Sequence, residues 1–174
     1  MKKILLLALM SLAAITAKAQ FYVGGEVGLQ ANKDLINLRI LPEAGYNLND
    51  KMAVGGKLGV SYYKDTEWDD INNFAYTMET VVVTLSPYFR YTFLDLGPVK
   101  LFADGQVDLD IYTYPGSGAK PYVDWGIGVS PGFAIPLNNN LSFVGHLGRF
   151  GYYNGAFDIS LDMSSIDVGV FYNF

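Results

Sequence analysis

The chain has 174 residues, of which 51% are hydrophobic and 15% aromatic, and none is cysteine. With 17 acidic against 12 basic residues it is an acidic protein, which excludes nucleic acid as a partner because phosphate binding needs a basic surface. The lack of cysteine excludes a disulfide framework, a thiolate metal site and a lipid-anchoring cysteine.

Residues 1–19 read as a signal peptide. Lys2 and Lys3 precede an apolar run from Ile4 to Ile15 that only Ser11 interrupts, and Ala17-Lys18-Ala19 supplies a small-x-small cleavage pattern. Its removal leaves one domain, residues 20–174, that keeps every acidic residue and loses three lysines. No later stretch approaches the ~18 consecutive apolar residues of a membrane helix. Apolar residues are instead dealt out singly.

Strands one to three are expected at about 21–30, 38–48 and 52–63, with some noise in their alternation. The fourth puts Val81, Val83, Leu85, Pro87, Phe89, Tyr91 and Phe93 on one face, and Thr84, Ser86, Tyr88, Arg90 and Thr92 on the other. The fifth alternates most strictly, Leu101, Ala103, Gly105, Val107, Leu109 and Ile111 against Phe102, Asp104, Gln106, Asp108 and Asp110. Such a period of two means that one face meets an apolar medium and the other does not. The sixth sets Val123, Trp125, Ile127, Val129 and Phe133 against Asp124, Gly126, Gly128, Ser130 and Gly132. A seventh over 141–153 loses parity near Arg149, the mark of a bulge. The last carries Ile166, Val168, Val170, Tyr172 and Phe174 on its apolar face.

Connections alternate in length. Turns around 49–50, 95–98 and 138–140 are short, whereas 31–37, 64–75, 113–120 and 154–161 are longer. Leu41-Pro42, Ser86-Pro87 and Ser130-Pro131 recur at intervals of 45 and 44 residues, each on an even-numbered strand before a short turn. The repeat is one hairpin with its outer loop, and the prolines predict a repeated kink or bulge in the wall.

Alternation fits a membrane barrel, apolar side outward, and a soluble lipocalin-like barrel, apolar side inward. Three features favour the first. The polar face is rich in glycine, which a narrow eight-stranded lumen needs. Phe21, Tyr46, Tyr91, Phe93, Phe133 and Phe174 gather near the short turns, and Tyr62 and Trp125 near the long loops, as in paired interfacial girdles. The chain ends on an aromatic, Phe174, in mid-alternation.

The signal segment, the eight amphipathic strands, the Pro-led repeats and the ending Val168-Gly169-Val170-Phe171-Tyr172-Asn173-Phe174 resemble the small outer-membrane β-barrel domain family, of OmpA/OmpX-like architecture. The resemblance implies an all-β, eight-stranded antiparallel up-and-down transmembrane barrel in a bacterial outer membrane, with short turns in the periplasm. Lipid and lipopolysaccharide would surround a monomer. Val170, Tyr172 and Phe174 look like the C-terminal signal read by the outer-membrane assembly machinery. Many family members have no biochemical role assigned, and a surface or envelope role is the function expected here.

Inward parity assigns Glu26, Arg39, Glu43, Lys57, Arg90, Asp104, Asp108, Asp110, Asp124, His146 and Asp167 to a polar network in the lumen. Isolated charges there are costly, so they should pair or stay hydrated. With seven acids and three bases besides the histidine, a pore would favour cations, but so narrow an interior is filled by side chains. A lipid-modifying enzyme would need His146 beside a hydroxyl. Ser142, on the same face, lies roughly 13 Å along the strand, out of reach. The acidic segment Lys64–Asp70 lacks the glycine and ligand period of a calcium loop. No catalytic residue, cofactor or metal ligand is therefore assigned.

Overall fold

A computed structural model describes residues 20–31, 34–69, 74–161 and 166–174. The signal peptide expected over 1–19 lies outside these residues, as do Asp70 and the side chains of residues 67–69 of the acidic segment.

Among the described residues every regular element is a strand: β1 (Phe21–Ala31), β2 (Leu35–Asn47), β3 (Met52–Asp69), β4 (Phe74–Asp95), β5 (Lys100–Thr113), β6 (Tyr122–Pro136), β7 (Leu141–His146), β8 (Arg149–Tyr153), β9 (Ala156–Ser160) and β10 (Asp167–Asn173). The pairings are antiparallel, and β1 meets β10 to close the ring. β7 with β8, and β9 with β10, are the two halves of the seventh and eighth staves of an eight-stranded barrel.

Two expected loops are strands. β3 and β4 run on to Asp69 and Phe74, so the connection placed at 64–75 is mostly ladder. The connection placed at 154–161 is a tight turn followed by β9, with Asn154 at φ 52° and Gly155 at φ 76°. The parity break near Arg149 is the gap between β7 and β8, where Gly148 takes φ 116°.

The three prolines share one consequence. β2 pairs β3 through Ile40↔Val60 and resumes at Glu43↔Lys57, so the ladder lapses at Pro42. β4 pairs β5 at Leu85↔Leu109 and resumes at Tyr88↔Gln106, lapsing at Pro87. Neither lapse changes register. At Pro131 the ladder changes register instead, from Val129↔Phe150 to Gly132↔His146. Proline has no N–H to donate, and each time the missing donor faces the following strand.

The outer wall is apolar. Val23, Val27, Leu29, Ile40, Leu58, Leu85, Leu109 and Ile127 are all exposed. Phe21 meets Tyr46 edge-on at the short-turn end, with ring centroids 5.0 Å apart, and Tyr172 meets Phe174 at 5.2 Å. Trp125 and Tyr152 stand together towards the other end. Inside are Glu26, Glu43, Asp104, Asp108 and His146, all buried, with the rings of Tyr22, Tyr88, Phe102 and Phe171. A soluble barrel would reverse these two faces.

Inward glycines make room for the rings. A Cβ on Gly45 would collide with the Tyr22 ring, and one on Gly126 with that of Tyr153. Ring over glycine is how an eight-stranded lumen is filled to the wall.

Candidate functional site: the barrel lumen

Sheet register carries the polar side chains to one level. Glu43 on β2 faces Lys57 on β3, and Arg90 on β4 faces Asp104 on β5. On the far wall His146 of β7 lies between Asp167 of β10 and Gly132 of β6. Cross-strand neighbours are close enough to pair directly.

Arg90 is the centre of the cluster. Its Nε and Nη2 donate to the two carboxylate oxygens of Asp104 at 2.7 and 2.8 Å, a bidentate fork, and Nη2 also reaches Glu43 Oε1 at 3.1 Å. The guanidinium lies 4.1 Å from the Phe102 ring centre and 5.0 Å from that of Tyr88, with Phe171 and Tyr22 at 5.3 and 5.8 Å. Tyr88 donates its hydroxyl to Glu43, and the Tyr22 hydroxyl joins that of Tyr88.

His146 is bound on both sides. Nδ1 lies 2.8 Å from Glu26 Oε2, and Nε2 lies 2.8 Å from Asp104 Oδ2. Lys57 Nζ stands 3.2 Å from Nε2 and 3.6 Å from the same Asp104 oxygen. A proton on each ring nitrogen answers both carboxylates. Three cations then face three carboxylates, Glu26, Glu43 and Asp104. A cluster so balanced tolerates burial, whereas loss of one member strands the others.

The cluster divides the lumen. On the long-loop side is a cavity of about 180 Å³ bordered by Arg39, Lys57, Asp108, Asp110, His146 and Arg149. On the short-turn side is one of about 500 Å³ bordered by Tyr22, Arg90, Lys100, Phe102 and Phe171. Side chains from opposite walls meet between them.

The other polar residues assigned to the lumen stand apart from this cluster. Arg39 pairs with Asp167, Nε to Oδ1 at 2.9 Å. Asp108 accepts from Ser86 and, at 2.9–3.0 Å, from the Gln106 amide. Asp110 accepts from Thr84 at 2.5 Å. Asp124 faces Asp110 across the β5–β6 ladder and accepts the backbone N–H of Trp125. Ser142 lies beside Phe171 and borders the short-turn cavity, on the other side of the cluster from the long-loop cavity that His146 borders. The two His146 nitrogens meet the carboxylates of Glu26 and Asp104, and among the described residues neither meets a hydroxyl.

Inward aromatics are the members that alternation alone overlooks. Tyr22, Phe102 and Phe171 fall on the polar parity, where a period-two reading counts them as noise. Their signal is a glycine on the neighbouring strand: Gly45 opposite Tyr22, Gly132 opposite Phe102 and Gly24 opposite Phe171.

Known proteins agree with this architecture. The family model described as outer membrane protein beta-barrel domain matches residues 4–174. The crystal structure of Neisserial surface protein A aligns with a TM-score of 0.60 and 17% identity, over 88% of this chain and 97% of that one. That of a major outer membrane protein from Thermus thermophilus aligns with a TM-score of 0.50 and 20% identity, over 88% and 99%. No curated protein matches the sequence. At these identities the two structures speak for the fold, and the family match for the membrane. With its apolar wall turned outward and its charges enclosed, the chain belongs to the outer membrane protein beta-barrel domain family, and that wall is the face it presents to the lipid of the bacterial outer membrane.

Proposed function

We propose that the chain is exported by its first 19 residues and serves the outer membrane as a sealed, non-enzymatic monomer, acting at its outer rim by partner contact or by stabilising the envelope. One observation carries this reading: the Arg90–Asp104–His146 cluster, with its ring of aromatics, stands between the two cavities. A conducting path would have to break charge-assisted bonds buried in an interior where they are strong. The only histidine is held between carboxylates, so it has no hydroxyl to activate.

Lipid and lipopolysaccharide are the surroundings this reading implies. Val170, Tyr172 and Phe174, outward on and just beyond β10, are the groups it offers to the assembly machinery.

Planar-bilayer recording tests the seal, and a lipid A mass profile with and without the protein tests the chemistry. The reading expects no discrete conductance and unchanged lipid A. Stepwise cation current, or an altered acyl pattern that His146→Ala abolishes, would overturn it.

A further inference from the structure

The central cluster is balanced in charge but not in exposure. The side chains of Glu43 and Asp104 have no open surface and border neither cavity, whereas Arg90 keeps 10% of its side chain open. Arg90 borders the short-turn cavity and not the long-loop one. Nε and Nη2 bond to Asp104 and Glu43, and Nη1 to neither. The floor of the short-turn cavity is therefore a guanidinium with free donors, its counter-ions shut away from the cavity.

The rest of that cavity suits what such a floor would hold. It is a funnel: Asn49, Asp50, Asn138 and Asn139 at its mouth are exposed turn residues, and Phe102 and Val144 at its depth are 2% and 1% exposed. Phe102, Phe171 and Tyr22 surround the guanidinium, and a charge pair kept from water is stronger than one in it. Towards the mouth the border is amide and hydroxyl, Asn47, Asn173, Thr92 and Ser142, and Asp50 is its one carboxylate among the described residues. The Asn47–Asn173 bond is long, 3.5 Å, so both amides can turn to a guest. Lys100 adds a second cation, held by a pair with Asp95 that is half exposed and therefore weak.

A single open guanidinium at the end of an amide-lined funnel fits a carboxylate at the end of a peptide. The guanidinium donates to the carboxylate oxygens, and asparagine side chains answer the peptide's own N–H and C=O groups. A phosphate, with more charge, would need more cations on the floor. We propose that the short-turn cavity captures the free C-terminal carboxylate of an extended peptide, seated on Arg90 with Lys100 at the mouth as its second cation. The site rests on the floor that Arg90 makes and not on what the outer rim does.

NMR titration of the folded mature chain in lipid nanodiscs tests it, with acetyl-trialanine as the free acid, the same peptide as its C-terminal amide, and acetate. The acid should shift the amides of Asn47, Ser142 and Asn173 saturably and leave those of Thr84 and Ser130, beside the long-loop cavity, unmoved. It should bind at least tenfold more tightly than the amide or acetate. Ser142→Leu, which fills the funnel beside Phe171, should lower the affinity at least tenfold, and Lys100→Gln severalfold. Neither side chain belongs to the Arg90 cluster, so both variants should fold. Arg90→Gln should erase the preference for acid over amide where the barrel still folds, and the other two variants decide where it does not.

Equal binding of acid and amide, or acetate held as tightly as the tripeptide, would overturn the proposal. So would shifts confined to the long-loop cavity, an affinity that survives both Ser142→Leu and Lys100→Gln, or no saturation by the acid at all.

Discussion

The two halves of the barrel solve the same problem differently. Towards the short turns the ladder is closed, and Arg90, Asp104, Glu43, Tyr88 and Phe102 interlock across the lumen. Towards the long loops the polar groups sit in small separate sets, Arg39 with Asp167, Asp108 with Ser86, Asp110 with Thr84, around a cavity. The lower half is one shared network and the upper half a series of local pairs. Rigidity thus resides where charges are shared among several partners, and freedom where each charge has one or two.

Removing Arg90 should break this contrast most severely. Arg90→Ala takes the bidentate partner from buried Asp104 and the cation from buried Glu43, and the cost should be about 3–5 kcal/mol in urea unfolding from vesicles. Arg39→Ala, in a pair still partly open to water, should cost clearly less. Equal losses would dissolve the distinction between the halves.

Overpacking probes the same contrast more gently. Gly45→Val drives a branched side chain into Tyr22, whose hydroxyl is tied to Tyr88, and should cost about 1–3 kcal/mol. Gly126→Val meets the ring of Tyr153, which is buried like that of Tyr22, and should cost a similar amount.

The smallest effect belongs to the short turn after β4. There the Gly97 N–H and then Lys100 hold the Asp95 carboxyl below its usual range, outside the apolar belt. A carboxyl depressed on folding stabilises at neutral pH, and that contribution fades as pH falls through the folded value. Asp95→Asn should slightly reduce the acid dependence of unfolding and leave stability below that range unchanged.

Much of this was legible in the chain. Period two put Glu26, Asp104 and His146 on the inner face, and the faltering parity near Arg149 marked the gap between β7 and β8. Contacts were not legible, because they depend on the stagger of the staves. Glu26 and His146 are 120 residues apart, and nothing local to either names the other. β9 was missed since five residues beside a turn carry too little period to separate strand from loop.

The prolines carry a mechanical consequence. Ladders across the long loops, β1 with β2, β3 with β4 and β5 with β6, run without a lapse, whereas β2–β3, β4–β5 and β6–β7 each lapse or slip at Pro42, Pro87 or Pro131. From β1 to β6, stiff double ribbons therefore alternate with softer joints. Such a cylinder flexes at its joints like a folding screen, so an insertion step that adds the chain two strands at a time would find its creases already in place.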